Sequence, residues 1–452
     1  MSLKTIRIKM VLSLAAMLLV GLTSSRAFAA LAVNPIFRSN MVLQTGMTCP
    51  VFGTGDVGTT VTVSFLDQTV FGTVDSNGKW RADLTSMAVN AAPSTMTVTA
   101  PGSSPVTFTG VQVGEVWVSA GQSNMEFNLE DATGSAPVVA DAGNHNIRLF
   151  DMGGYQTSPA TSSWTISTST TAAVFSAVCY WHGLELEQRY AVPVGLIDAS
   201  RNGSQITEWY TSHGGNLGEM LYDNRIRPIQ PFAVRGVLYY QGETASDPAN
   251  YGTMLPAMIA QWRSDWARSD LPFGIVQIPG GGLVALAQFN ASQTVANTWL
   301  AVTSDVSSKA LHPTNKKPVG MRLSLGARAL LYGDAIEYSG PIRAAPPTSF
   351  VTGNKVVLNW GHLGSGLSTS NGGAPATFEL ADAAGHYSSA TATIVGNTVE
   401  VVSNRVPVPK RVRYQMGGYT GNLFNSGLSV PVEGGASTVI KLPTATFELV
   451  FP

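Results

Sequence analysis

The spacing of hydrophobic residues divides the chain into three regions. In the first region, Val61, Val63 and Phe65 alternate with polar residues, which is the period-two pattern of a half-buried strand. Asn77-Gly78 then suits a tight hairpin turn, because both residues adopt positive φ at low cost. Short strands joined by such turns predict a β-sandwich over residues 30–110.

From residue 111 onward, strand patterns alternate with helical patterns. The stretch 113–127, VGEVWVSAGQSNMEF, begins as a buried strand and becomes helical just after Gly121. Further strands are predicted at 147–150, 194–199, 236–240, 273–278 and 300–303, and helices at 173–190, 254–267 and 319–332. This order predicts a three-layer α/β domain over residues 111–335, in which helices cover a mostly parallel sheet.

The last region returns to strand patterns. Residues 355–359 and 398–402 alternate between hydrophobic and polar positions, and a final alternating run covers residues 447–451. Residues 336–452 are therefore predicted to form a second β-sandwich or jelly-roll-like region that packs on the α/β domain.

Polar residues follow several of the predicted parallel strands. Ser123 comes after one strand, a loop with Gly203 after another, and Gln241 and Glu243 after a third. His312 lies in a loop just before the last predicted helix. In open α/β sheets the ligand crevice lies at the carboxyl ends of the strands. We therefore expect these residues to form one site.

Local sequence leaves two interpretations of Ser123. It caps the helix that follows, as serines commonly do, or it is a nucleophile beside the unpaired N–H groups of that helix. A serine nucleophile needs a base, and His312 is the histidine, among six, that stands in a loop directly before a helix. Gln241 is likewise either a buried amide that joins two loops or a member of the site.

The N-terminal segment has the pattern of a signal peptide. Lys4, Arg7 and Lys9 precede an apolar run at residues 11–22, which is too short to span a membrane. Ala27-Phe28-Ala29 fits the small-x-small cleavage rule, so residues 1–29 are predicted to be removed on export. The protein is expected to be periplasmic or extracellular, without a membrane span after cleavage.

Composition excludes some partners and adds little chemistry. Only 12% of the 452 residues are charged and the net charge is −1, which favours neither nucleic acid nor an anionic membrane surface. Cys49 and Cys179 stand in separate predicted regions, and we expect two buried thiols rather than a disulfide. No spacing of residues indicates a metal site.

Three segments together resemble the sialate O-acetylesterase family, a branch of the SGNH (GDSL-like) hydrolases that is related to carbohydrate acetylesterases. They are GQSNM at 121–125, YYQGET at 239–244 and LHPTNKKPVGMRLSLGARA at 311–329. Further similar segments extend from IFRSNMVLQ at 36–44 to NLFNSGL at 422–428. The resemblance implies an SGNH-hydrolase-like α/β domain flanked by β-sandwich regions.

The resemblance also implies a role for each matching residue. Ser123 would be the nucleophile that attacks an acetyl carbonyl, and His312 would be the general base. The oxyanion hole would consist of the Ser123 N–H, the N–H of Gly203 or its neighbour, and the side-chain amide of Gln241. No metal or cofactor is implied.

The sequence departs from the family pattern in one loop and before the histidine. The family usually has Trp-Gly-Gly-Thr where this chain reads RNGS at 201–204, so one glycine is kept and Arg201 alters the pocket wall. The aspartate that usually precedes the histidine is absent. Glu243 is the first candidate for the orienting acid and Asp305 the second, and a Ser–His dyad in which a backbone carbonyl orients the imidazole is the third possibility.

We therefore expect an exported carbohydrate O-acetylesterase that acts on an acetylated sugar through an acetyl-enzyme. One alternative is a deacetylase of xylan or another polysaccharide, and another is a carbohydrate-binding protein with a degenerate hydrolase core. Trp209 and Tyr210 are candidates for an apolar wall against a sugar ring, and Arg201 and Arg235 for contacts to a sialic acid carboxylate.

Overall fold

The computed structural model describes residues 31–152, 158–211, 221–306, 310–418, 421–431 and 437–452. The predicted signal peptide, residues 1–29, lies outside the described residues. Within these ranges, no helix has the length and apolar character needed to cross a membrane.

Strands dominate the first region, as its alternating pattern predicts. Val61, Val63 and Phe65 are buried, and Thr62 and Ser64 between them are only half-buried. β1, β3 and β6 form an antiparallel sheet, and β4 pairs with β5 and β7. The strands are β1 (Ala32–Val33), β2 (Val42–Gln44), β3 (Cys49–Thr54), β4 (Thr60–Phe65), β5 (Gln68–Thr73), β6 (Lys79–Leu84), β7 (Asn90–Thr99) and β8 (Val106–Gly121).

Strand β8 crosses the boundary that the sequence predicts at residue 110. It is 16 residues long, and its first half pairs antiparallel with β7 while its second half enters the central sheet. The N-terminal strands β2, β4, β5 and β7 therefore belong to the same 11-stranded sheet as the α/β region. The expectation of a sandwich that ends at residue 110 is corrected, because one continuous hydrophobic strand joins the two regions.

The central sheet is mostly parallel. Its strand order is β10-β9-β11-β8-β12-β13-β14, and β10 is an antiparallel edge strand. The α/β character agrees with the prediction, whereas the complete 11-stranded sheet is mixed because the N-terminal strands extend it. The additional strands are β9 (Ile147–Asp151), β10 (Trp164–Ile166), β11 (Val194–Asp198), β12 (Gly236–Tyr240), β13 (Phe273–Gln277) and β14 (Thr298–Val302).

Seven α-helices are found in the described residues, and three shorter segments are 3₁₀-helical. A single π-helical stretch, Tyr222–Ile226, is also present. The α-helices are α1 (Ser123–Glu126), α2 (Ala136–Asp141), α3 (Ser169–Ala173), α4 (Ala177–Tyr190), α5 (Tyr251–Asp265), α6 (Leu283–Thr294) and α7 (Lys317–Leu331), and the 3₁₀ segments are Ala142–Asn144, Ile206–Trp209 and Arg227–Ile229.

Successive residues of β13 contact helices on opposite faces of the sheet. Phe273 packs on Trp262 of α5, with ring centroids 5.8 Å apart, and Gln277 donates to a backbone carbonyl of α6 at 2.8 Å. Between them, a Cβ added to Gly274 would lie 2.9 Å from Leu323 of α7. Because successive residues of a strand point to opposite faces, α5 and α6 cover one face and α7 the other.

The C-terminal region forms antiparallel sheets around a second hydrophobic core. Phe289 of α6 belongs to this core, and Gln277 is hydrogen-bonded to the backbone N–H of Thr446 at 2.9 Å, so the region packs on the α/β layer. The strands are β15 (Ile342–Arg343), β16 (Phe350–Thr352), β17 (Lys355–Gly361), β18 (Leu367–Thr369), β19 (Phe378–Ala381), β20 (Tyr387–Ser389), β21 (Thr391–Val395), β22 (Thr398–Val402), β23 (Arg411–Tyr414), β24 (Leu423–Asn425), β25 (Leu428–Pro431), β26 (Ser437–Ile440) and β27 (Phe447–Val450).

The register of the parallel strands brings their carboxyl ends together. Ser119 of β8 pairs with Asp198 of β11, and Gly121 of β8 pairs with Tyr240 of β12. The chain segments that follow these three strands therefore leave the sheet at one edge. This is the edge at which the sequence predicts the site.

We expect Gly121→Ala to lower the midpoint of thermal unfolding. Gly121 has φ +135°, and a Cβ there would lie 2.0 Å from the Tyr240 carbonyl oxygen. Such strain costs roughly 1–3 kcal/mol, and the required backbone shift adds to it. Gly143→Ala is the matched control, because a Cβ at Gly143 meets no atom within 4 Å. Equal midpoints for the two variants, measured by circular dichroism, would contradict this prediction.

Candidate active site

The turn after β8 exposes Ser123. Gly121 ends the strand with positive φ, and the Gln122 N–H donates to the Tyr240 carbonyl at 3.0 Å. Gln122 occupies the N-cap position of α1, and Ser123 is the first helical residue. Ser123 is therefore not the cap, and its N–H has no partner within the helix. The structure thus removes the first of the two interpretations of this serine.

Ser123 and His312 are hydrogen-bonded to each other. The distance between Ser123 Oγ and His312 Nε2 is 2.7 Å, although the two residues are 189 positions apart in the chain. Partial burial lowers the pKa of His312, and the positive charge of Lys316 lowers it further. An imidazole with a lowered pKa is mostly neutral at neutral pH, which is the state that accepts a proton from a serine.

Glu243 lies behind the serine and does not orient the histidine in the described structure. Its carboxylate accepts hydrogen bonds from the side-chain amides of Gln122 at 2.7 Å and Asn124 at 2.6 Å. Among the described residues, the Glu243 carboxylate has no hydrogen bond to His312, whose Nε2 is bonded to Ser123 Oγ. Burial raises the pKa of Glu243, and its hydrogen bonds and Lys316 oppose that rise. The predicted role of orienting acid is therefore corrected: Glu243 fixes the residues on either side of Ser123.

The second candidate acid, Asp305, is also engaged elsewhere. Its two oxygens accept from the guanidinium of Arg322 at 2.7 and 2.6 Å. In the part of the chain that the structure describes, the single hydrogen bond of His312 is the one to Ser123. Within that part, Ser123 and His312 form a pair in which neither an acid nor a backbone carbonyl is hydrogen-bonded to the imidazole.

The loop at 201–204 is attached to the nucleophile turn. The Arg201 N–H donates to the Gly121 carbonyl at 2.9 Å, and Ser204 Oγ donates to the same carbonyl at 3.3 Å. The Asn202 N–H donates to the carboxylate of Glu126 in α1. Gly203 has φ +73°, a conformation that glycine adopts without strain. These contacts hold Gly203 beside the Ser123 turn.

Gln241 is a buried amide that connects two loops. Its Nε2 donates to Gln122 Oε1 at 3.3 Å and to the Ser204 carbonyl at 3.1 Å, and its Oε1 accepts from the Tyr251 hydroxyl at 2.7 Å. Both amide hydrogens are thus used inside the protein, and the side chain is fully buried. The predicted contribution of this amide to the oxyanion hole is corrected for that reason.

Asn124 and Lys316 are site residues that the sequence reasoning missed. Asn124 Nδ2 donates to the Leu311 carbonyl at 2.9 Å, besides its bond to Glu243, and Lys316 Nζ donates to Asn124 Oδ1. Lys316 is fully buried, and burial lowers its pKa to about 7, against the opposing charge of Glu243. Their positions in the sequence could have identified them as site residues, since Asn124 follows Ser123 directly and Lys316 lies four residues after His312.

A cavity of about 350 Å³ is lined by residues that are adjacent in the chain to Ser123 and His312. Asn124 and Glu243 line it from the nucleophile side, Leu311 and Pro313 from either side of His312, and the glycines at 280–282 from the loop after β13. Glycines leave the backbone open to a bound molecule. The described residues contain no cluster of His, Cys, Asp or Glu that would hold a metal ion.

Several other sequence candidates lie in the core or are paired. Arg235 forms two hydrogen bonds with Glu115, at 2.7 and 2.8 Å. Trp209 and Tyr210 are buried, and Trp209 Nε1 donates to Ser204 Oγ at 3.1 Å, so this tryptophan supports the 201–204 loop. The two cysteines, Cys49 and Cys179, are buried free thiols, as the sequence predicts.

Sequence comparison finds a matching family and several relatives. The family described as carbohydrate esterase, sialic acid-specific acetylesterase, matches residues 113–322. Human sialate O-acetylesterase is 27% identical over 297 residues, which is 51% of this chain and 56% of the human protein. The mouse enzyme is 24% identical over 388 residues, or 65% of this chain and 72% of that protein. The chain thus spans about half the length of the human relative.

Among solved structures, a carbohydrate acetylesterase from Xanthomonas citri is similar over nearly its whole length. It is 31% identical, the match covers 92% of this chain and 99% of that one, and the TM-score is 0.79. Because the match includes the N- and C-terminal β-rich regions as well as the α/β layer, the relationship is not confined to the segments around Ser123 and His312. The chain belongs to the sialate O-acetylesterase family of carbohydrate esterases.

Proposed function

We propose that the protein is a carbohydrate O-acetylesterase that uses Ser123 as nucleophile and His312 as general base. The observation that carries the proposal is the 2.7 Å hydrogen bond between Ser123 Oγ and His312 Nε2 at the carboxyl edge of the central sheet. Membership of a family of carbohydrate esterases supports the substrate class. A degenerate carbohydrate-binding core is less favoured, because binding a sugar does not require a paired serine and histidine.

The reaction then takes place in two steps. Ser123 Oγ attacks the acetyl carbonyl while His312 Nε2 accepts the serine proton, and the histidine returns that proton to the departing sugar hydroxyl. This leaves an acetyl group on Ser123. Water attacks the acetyl-enzyme with His312 again as base, releasing acetate and restoring the serine.

Two backbone N–H groups are proposed to stabilise the oxyanion. One belongs to Ser123, which as the first residue of α1 has no partner within the helix. The other belongs to Gly203, whose loop is bonded to Gly121 and Glu126. A donor of this kind contributes about 3 kcal/mol to transition-state stabilisation. The Gln241 amide takes no part, since its hydrogens are bonded to Gln122 and Ser204.

The acetylated sugar that the site accepts is proposed by class. The human and mouse relatives are named for sialate, and the Xanthomonas citri relative for carbohydrate acetyl groups in general. Arg235 does not serve a sialic acid carboxylate, because Glu115 occupies its guanidinium. Acetate release from O-acetylated sialic acid and from acetylated xylo-oligosaccharides should be compared under the same conditions to separate the two substrate classes.

Export is proposed from the sequence alone. Residues 1–29 carry the charged, apolar and small-residue segments of a signal peptide. Two buried free thiols are compatible with any compartment, since burial raises the pKa of both Cys49 and Cys179 and suppresses their reactivity.

We expect Ser123→Ala to abolish hydrolysis of p-nitrophenyl acetate. Loss of the nucleophile removes the acetyl-enzyme route, so kcat should fall by about 10⁴-fold or more. Ser104→Ala, which changes an exposed serine in the loop between β7 and β8, is the matched control and should retain the wild-type rate. Hydrolysis by Ser123→Ala at the rate of this control would contradict the proposed function.

The pH dependence of kcat/KM should have its acid limb below the ordinary histidine pKa of about 6.5. The pKa of His312 is lowered, so the imidazole stays neutral to a lower pH and activity is lost only as pH falls through that lowered value. Initial rates with p-nitrophenyl acetate across the acid range, in buffers of constant ionic strength, measure the midpoint. A midpoint above about 6.5 would disagree with this electrostatic environment.

A further inference from the structure

The side chains next to Ser123 on both sides bind one carboxylate. Gln122 Nε2 donates to one oxygen of Glu243 at 2.7 Å, and Asn124 Nδ2 donates to the other at 2.6 Å. The serine is thus held between two residues that share an anchor on the loop after β12. Glu243 thereby fixes the nucleophile turn.

Asn124 also fixes both ends of the segment that carries His312. Its Nδ2 donates to the carbonyl of Leu311, the residue before the histidine, at 2.9 Å. Its Oδ1 accepts from Nζ of Lys316, four residues after the histidine. One carboxamide, on the residue directly after the nucleophile, therefore contacts the chain on both sides of the base.

Lys316 is buried, and no carboxylate among the described residues forms an ion pair with it, although the charge of Glu243 acts on it from farther away. Its side chain is fully buried, and Nζ lies 4.8 Å from the ring centroid of Phe127 and 5.5 Å from that of Tyr240. Arg328, the other fully buried cation of α7 and its N-cap, has two carboxylates instead, Glu185 and Asp334. Burying a charge is costly, and an apolar side chain of similar size is often at least as stable. A stabilising role alone does not explain this lysine.

We propose that Lys316 and Asn124 are positioning residues that hold His312 against Ser123, taking the place of the carboxylate contact that the described residues do not supply. The inference rests on the proposed function, since it assigns how the same Ser–His pair is aligned. Lys316 fixes Asn124 Oδ1, which orients Nδ2 toward both Glu243 and the Leu311 carbonyl. The imidazole of His312 is then aligned because the backbone segment that carries it is held in place.

A second contact explains why loss of this network should loosen the segment without releasing it. The Thr133 N–H donates to the Thr314 carbonyl at 2.9 Å, and the two hydroxyls lie 2.7 Å apart. His312 should therefore stay near Ser123 in variants of Lys316 and Asn124 while losing its fixed geometry. A misplacement of about 1 Å at a reacting group costs about 100-fold in rate.

Lys316 also acts on His312 through its charge. The positive charge contributes to the lowered pKa of the imidazole, and Glu243, from the loop after β12, is the charged group that faces Lys316. Removing the lysine charge should therefore raise the apparent pKa of His312. This shift separates a role at the active site from a purely structural one.

The test compares Lys316→Met with Lys317→Met, which removes an exposed lysine at the next position. For Lys316→Met we expect kcat for p-nitrophenyl acetate to fall about 100-fold with KM nearly unchanged. The acid limb of kcat/KM should move to higher pH, and the thermal midpoint should not fall. Lys317→Met should match the wild type in each measurement. Unchanged kcat in Lys316→Met, or a loss explained by unfolded protein, would overturn the proposal.

A second pair of variants tests Asn124 without a change in side-chain size. Asn124→Asp keeps an oxygen for Lys316 but loses the hydrogens that reach Glu243 and Leu311, so kcat should fall similarly. Adding Glu243→Gln reverses donor and acceptor in the pair, since the new amide donates to position 124 and still accepts from Gln122. The double variant should recover part of the lost kcat, and no recovery would contradict the proposed relay.

The two proposals fail in different ways. If the wild type hydrolyses acetyl esters and Ser123→Ala does not, the proposed function holds whatever Lys316→Met does. If the wild type is inactive, crystal structures of the wild type and Lys316→Met still test the positioning. The Oγ–Nε2 distance should then stay within about 3.2 Å in the wild type and exceed it in the variant. Equal distances would overturn the positioning role.

Discussion

The position of β8 between β11 and β12 is the constraint on which the site depends. Parallel pairing in fixed register ends the three strands at one edge, so that the segments carrying Ser123, Gly203 and Gln241 leave the sheet together. Gly121 allows β8 to turn sharply against the Tyr240 carbonyl, where any side chain would collide. The nucleophile is therefore placed by backbone hydrogen bonds of a rigid sheet, which is how precise sites are held in proteins generally.

Around that edge, polar side chains connect segments that are distant in the chain. Gln241 joins the nucleophile turn to the 201–204 loop, Glu243 joins Gln122 to Asn124, and Asn124 joins this group to the His312 segment. Such a network stabilises one arrangement only when each member has its partners. It also accounts for the corrected roles of Gln241 and Glu243, since groups already bonded within the protein are not free to act on a substrate.

The sequence predicted the parts of the site that depend on strand ends. Periodicity made Ser123 and His312 candidates, because one follows a strand-to-helix turn and the other stands in a loop before a helix. Their roles as nucleophile and base came from the family resemblance of the segments that contain them. The orientation of Gln241 and Glu243 could not be predicted, because which atoms an amide or a carboxylate contacts depends on tertiary packing. The boundary at residue 110 failed for a related reason: hydrophobic alternation identifies a strand but not the two regions that it joins.

The burial of Lys316 likewise could not be predicted from the sequence. A lysine just before a helix is ordinarily a solvated residue, and only the packing of Phe127 and Tyr240 around it reveals the burial. The pairing of Asp305 with Arg322 was equally hidden, because a salt bridge between a loop and a helix leaves no local pattern. What the sequence supplies is the inventory of reactive groups and their positions along the fold. Their assignment to partners requires the folded coordinates.

In the proposed mechanism, acetyl transfer passes through Ser123. Rapid quenching of the wild-type protein during turnover of an acetyl ester, followed by mapping of acetylated peptides by mass spectrometry, tests this step. An acetyl group should be found on Ser123, should disappear when substrate is exhausted and should accumulate to a different level in His312→Ala. An acetyl group on another residue, or turnover with no acetylated serine at any time, would contradict it.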